Sequence, residues 1–106
     1  MSKFVKLSII LNIFLLVGCS NDNFISAIDE TEPVATSGDA ADDPAIVVNF
    51  SNPTQSLIFG TDKRAGVYLY DLSGKKISYA ALGEINNIDV RQADNKIYVA
   101  ASNRTA

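Results

Sequence analysis

Beyond its first third this chain of 106 residues reads as all-β. Short apolar runs recur every 8 to 12 residues or so, with turn-forming Gly, Asn, Asp, Ser or Pro between them. In one run Val67 and Leu69 alternate with Tyr68 and Tyr70, the period of two expected of a strand. No strong 3.6-residue pattern follows Asp42. Spacing of this kind suits a sandwich, a barrel or a propeller equally, and does not choose among them.

The first element is not part of that fold. Lys3 and Lys6 precede an apolar stretch from Leu7 to Val17, and Gly18-Cys19 follows. A basic start and a short apolar run are the plan of a secretory signal. The stretch is roughly half the length that spans a bilayer as a helix, and it contains Asn12. Leu16-Val17-Gly18-Cys19 resembles the lipobox of bacterial lipoproteins. That resemblance implies cleavage before Cys19 and acylation of its thiol. The competing reading is an ordinary buried thiol in an uncleaved signal. A disulfide is disfavoured, since Cys19 is the one cysteine in the chain.

The second element, residues 19–41, is expected to be a flexible acidic tether. Asp22, Asp29, Glu30, Glu32 and Asp39 lie in it with no Lys or Arg, and Pro33 and Gly38 interrupt any helix. So few bulky apolar side chains do not offset the entropy of ordering. Phe24, Ile25 and Ile28 are spaced like one turn of an amphipathic helix, but a sparsely apolar linker is the favoured reading.

Strands are expected over Ala45–Phe50, Ser56–Thr61 and Gly66–Leu72. Lys76–Ala80 is expected to pair back across the Ser73-Gly74 turn. Ile85–Arg91 and Lys96–Ser102 form a further pair, joined across Ala93-Asp94-Asn95. About 60 residues of folding sequence lie near the lower limit for a lone core.

Charge narrows the function. The whole chain carries −3, and from Cys19 onward seven Lys and Arg face twelve Asp and Glu, a balance of −5. Nucleic acid, which needs a basic face, is not an expected partner. Histidine is absent, so imidazole catalysis and His-based zinc sites are excluded within this sequence.

Five runs in a fixed order carry the strongest signal: Asp42-Asp43-Pro44-Ala45-Ile46, Leu57 through Gly66 with its Gly60-Thr61-Asp62-Lys63-Arg64 centre, Val67 through Lys75, Asn86-Asn87-Ile88-Asp89-Val90-Arg91, and Ala101-Ser102-Asn103-Arg104. Together they resemble the opening of the β-propeller phytases, calcium-dependent enzymes that remove phosphate from myo-inositol hexakisphosphate. Val47 departs from the family, which usually has Trp there. The resemblance implies that residues 42–106 are the first blade or so of a β-propeller. A four-stranded blade takes roughly 40 to 50 residues and leans on its neighbours. The chain alone is therefore expected to be incomplete and inactive.

The same resemblance implies a site. Calcium is a hard ion that takes about six to eight oxygens. Asp42, Asp43, Asn86, Asn87 and Asp89 are its expected ligands, with Asp43 and Asn87 foremost. Without the resemblance, Asp before Pro and paired Asn read as turn formers. Lys63, Arg64 and Arg104 are the expected donors to substrate phosphates, guanidinium by its fork and lysine as a point charge. Their default reading is exposed hairpin charge. The implied reaction is calcium-assisted attack of water on phosphorus, with no covalent enzyme intermediate. Phytate is the implied substrate and an envelope membrane the anchorage, the outer membrane or cell surface being expected. A noncatalytic surface lipoprotein that binds a ligand through its propeller is the alternative, and a degenerate truncated product a third.

Overall fold

A computed structural model describes residues 23–105, so the signal and Cys19 lie outside the described residues. Four strands form one antiparallel meander in chain order: β1 (Ala41–Val47), β2 (Leu57–Asp62), β3 (Gly66–Asp71) and β4 (Lys76–Ala81). A separate hairpin follows, β5 (Ile85–Ala93) with β6 (Lys96–Asn103). The fold is all-β, and its four-stranded meander is of the form that opens a propeller.

Turn chemistry closes each hairpin. Asp62 to Ala65 makes the β2–β3 turn, the Ala65 N–H donating to the Asp62 carbonyl at 3.0 Å. Between β3 and β4 the Asp71 carboxylate accepts from Ser73 N (2.9 Å), Ser73 Oγ (2.6 Å) and Lys75 N (3.0 Å). Those donors hold the Asp71 carboxyl below its ordinary value. Asp94 and Asn95, both at positive φ, form a two-residue turn between β5 and β6.

Cross-strand register sorts the side chains of the first sheet. Ala45 pairs with Phe59, Thr61 with Val67, and Phe59 with Leu69, so these share one face. Against that face pack Ile85, Ile88 and Val90 of β5, forming the core with Ala45, Val67 and Phe59. The Gln92 side chain fastens the two sheets at the far end. It accepts from Val48 N (3.3 Å) and donates to Val48 O (2.8 Å).

The other face carries Tyr68, Tyr70 and Tyr79, with the Tyr68 and Tyr79 rings 4.6 Å apart. Residues 32–40 run over it as a strap. Glu32 N donates to Gly74 O at 2.8 Å, and Ala35 N to Tyr68 Oη at 3.1 Å. Composition alone did not foretell these contacts for the later half of the expected tether. Residues 23–34 contain no helix, and Phe24, Ile25 and Ile28 are exposed there.

One strand departs from expectation. The first strand begins at Ala41 and stops at Val47, rather than running from Ala45 to Phe50. Asp42, Asp43 and Pro44 lie inside it because β1 is an edge strand, where proline's missing N–H costs no ladder bond. Residues 49–52 leave the sheet instead, with Asn49 Oδ1 accepting from the N–H groups of Ser51 and Asn52.

Candidate functional site

Two β-bulges meet at one end of the sheets. In β1, Ala41 opposes Asp62 and Pro44 opposes Gly60, so Asp42-Asp43 holds one residue too many. In β5, Ile85 opposes Asn103 and Ile88 opposes Ala101, which puts the second extra residue at Asn86-Asn87. A bulge leaves ladder groups unpaired and re-aims side chains. Here the freed groups satisfy one another.

Thr61 joins them. Its hydroxyl accepts from Asp43 N at 2.9 Å and donates to Asn86 O at 2.9 Å, with the residue 1% exposed. Asp43 completes the link, its Oδ2 accepting from Ile88 N at 2.8 Å. Asn87 N donates to Ser102 Oγ at 3.0 Å, tying the β5 bulge to β6. Asp43 is therefore oriented by β2 and β5 together, not by its own strand alone.

Asp43, Asn87 and Asp89 line one open concavity of about 460 Å³, closed below by Ile88 and flanked by Ala100 to Ser102. Its polar atoms are carboxylate, amide, hydroxyl and backbone oxygens. Such a donor set suits a hard cation and offers no nitrogen or sulfur ligand. These oxygens would supply only part of a calcium shell, and among the described residues no group of three or more His, Cys, Asp or Glu stands together to hold a metal ion. The Asn86 amide donates to Asn87 Oδ1 at 2.9 Å and thereby turns that oxygen. Asp89 Oδ1 accepts from Val90 N at 2.8 Å.

Asp42 points elsewhere. Its Oδ1 lies 4.0 Å from Lys63 Nζ, and Lys63 Nζ lies 2.7 Å from Asp39 Oδ1. Lys63 is fixed by its backbone as well: its N–H donates to Ala40 O at 2.9 Å, and its carbonyl accepts from the Arg104 guanidinium at 3.3 Å. Arg104 N donates to Glu84 O at 2.9 Å, holding the end of β6 beside the entry to β5. Arg64 is exposed at the tip of the β2–β3 turn, its N–H donating to Asp62 Oδ1 at 3.0 Å. Asp43, Asn87 and Asp89 thus line one concavity, and Asp42, Lys63 and Arg104 form a separate run of contacts that joins it through the Asp42-Asp43 step.

The larger concavity, about 560 Å³ between the Asn49–Ser51 loop and the β5–β6 turn, holds none of the predicted site residues.

The sequence profile of the family described as Phytase matches residues 8–106. The chain belongs to the phytase family. Among similar proteins is a 3-phytase from Bacillus subtilis (strain 168), 41% identical over 86 residues. That match covers 76% of this chain and 22% of the Bacillus protein, so the chain spans under a quarter of its relative's length.

Sequence reasoning overlooked Thr61, Ser102 and Asp39 as partners of the predicted site residues. Thr61 could have been noticed as the polar residue that ends the apolar run Leu57-Ile58-Phe59. Ser102 and Asp39 gave no such signal, because each acquires its partner from another strand or from the strap.

Proposed function

We propose that this chain is the N-terminal part of a calcium-dependent, 3-phytase-like phosphatase acting on myo-inositol hexakisphosphate. Kinship with a 3-phytase supports the reaction class. The observation that supports the reading is the meeting of the two bulges, which brings Asp43, Asn87 and Asp89 to one concavity, while next to Asp43 in sequence Asp42 lies 4.0 Å from the Lys63 ammonium, whose residue in turn accepts from Arg104. Bound calcium would offset phosphate charge and favour attack by water.

The chain's own contribution is placement. Asp43 and Asn87 present oxygens from two different sheets, each held by a backbone or side-chain hydrogen bond. Lys63 and Arg104 present cationic N–H groups to the substrate's phosphates, and Arg64 extends that field outward. Water activation and the remaining ligands belong to sequence beyond this blade, so the chain alone is proposed to be inactive.

Asp43→Ala tests the reading in the enzyme completed by the rest of its blades. Calcium affinity and phytate hydrolysis are expected to fall together, each by tenfold or more by the magnitude typical of a lost hydrogen bond to a charged group, about 2 kcal/mol. Unchanged calcium dependence would remove Asp43 from the site. Intact calcium binding without any phytate hydrolysis would favour a noncatalytic lipoprotein.

Export and lipid anchoring through Cys19 complete the proposal. Several acyl chains bind a membrane far better than one, at about 0.8 kcal/mol per buried methylene. In bacteria fed labelled palmitate, Cys19→Ser is expected to abolish labelling of the protein. Persistent label in that variant would refute the anchor.

A further inference from the structure

We propose that Asp39 is a specificity-determining residue, a built-in competitor that holds the Lys63 ammonium against incoming phosphate. The inference rests on the reading of Lys63 as a phosphate donor and adds a residue to it. Asp39 belongs to the strap, outside both sheets, yet its place beside Lys63 is set by backbone. Ala40, buried and next in sequence, accepts the Lys63 N–H at 2.9 Å. Gly38, at φ +76°, turns the chain immediately before it. The carboxylate then meets Nζ at 2.7 Å.

The two partners differ in exposure. The Lys63 side chain is 21% exposed and that of Asp39 83%. Lys63 is thus the fixed member, and Asp39 the one that solvent, or another anion, reaches first. Asp42, 4.0 Å from the same ammonium, adds a second negative charge. A phosphate that approaches Lys63 must displace Asp39 or sit beside its charge. An exposed ion pair is weak, so displacement is cheap for a densely charged phosphate ester and unfavourable for a weakly charged anion. Asp39 thereby sets a threshold of anionic charge for binding. The lowered Asp39 carboxyl, due first to its hydrogen bond from Lys63 and then to that residue's charge, agrees with the pairing.

The test is a phosphate titration of the enzyme completed by the rest of its blades, at low ionic strength, read from the Lys63 side-chain resonances by NMR. Asp39→Asn preserves shape and removes charge. It is expected to shift the Lys63 resonances before any phosphate is added and to lower the dissociation constant for inorganic phosphate roughly two- to fivefold. Asp39→Glu is expected to restore the weaker binding, and added sodium chloride to shrink the difference. Equal or weaker phosphate binding by Asp39→Asn would overturn the competition while leaving Lys63 as a phosphate donor. Lys63 resonances that phosphate moves in neither protein would overturn the donor reading itself, and the competition with it.

Discussion

Thr61 shows how one side chain can join two bulges without lining the concavity they form. Its hydroxyl is buried and uses both its donor and its acceptor, bridging Asp43 N and Asn86 O. Replacement by valine keeps the β-branched shape and leaves both backbone groups without that partner. Thr61→Val is expected to cost about 1–3 kcal/mol of stability and to weaken calcium binding more than that loss alone explains. Thr61→Ser, which retains the hydroxyl, should recover most of the calcium affinity, both variants being read by calorimetric titration of the completed enzyme. A valine variant that binds calcium as the parent does would show that the bulges keep their positions unaided. Asp43 itself was legible in the sequence as a potential ligand. Its hydrogen bond from Ile88 was not, because the two residues are brought together by sheet packing rather than by spacing.

At the scale of elements, the strands from β2 to β6 were largely legible. Alternating Val and Tyr, Ser73-Gly74 and Asp94-Asn95 announce strands and turns through local chemistry. The start of β1 was not, since Asp-Asp-Pro carries turn chemistry and becomes strand through its partner β2. Bulges are invisible in a single strand for the same reason: an extra residue exists only relative to a neighbour. Gly66 marks a close approach of two such elements. At φ +151°, a Cβ built there would lie 2.0 Å from the Ala80 carbonyl oxygen, backbone that has little room to yield. Gly66→Ala is expected to destabilise the fold by on the order of 3 kcal/mol. Gly38→Ala, at φ +76° in open space, should cost about 1 kcal/mol from backbone strain alone. Equal melting temperatures for the two variants would show that β4 moves aside freely.

On the scale of the whole molecule, the first sheet packs against β5 on one face and is crossed by the strap over Tyr68 and Tyr70 on the other, while β6 is exposed along its whole length. Strand β6 is hydrogen-bonded along one edge only, and Ile97, Tyr98 and Val99 are about half exposed, at 50%, 51% and 46%. Ile77 and Tyr79 are similarly open on β4. Exposed apolar edge strands pair with other chains unless charge or proline blocks them. The chain is expected to self-associate through β6, and Ile97→Lys, opposite Gln92, to reduce that association while changing stability by less than about 0.5 kcal/mol. Sedimentation velocity reads both proteins directly. An unchanged distribution in the lysine variant would place any association elsewhere.

Sequence by itself determined the β class, most of the strands, the family and the chemical types that could serve calcium and phosphate. Those properties are local: they follow from alternation, turn residues and the order of short motifs. Only the tertiary structure decided that Asp42 and Asp43 part company, one toward Lys63 and the other toward Asn87 and Asp89. It alone joined Thr61 to both bulges and brought Asp39 from the strap onto Lys63. The reason is physical. A bulge, a buried hydroxyl bridge and an ion pair across 24 residues each require two segments at once, and no single segment encodes its partner.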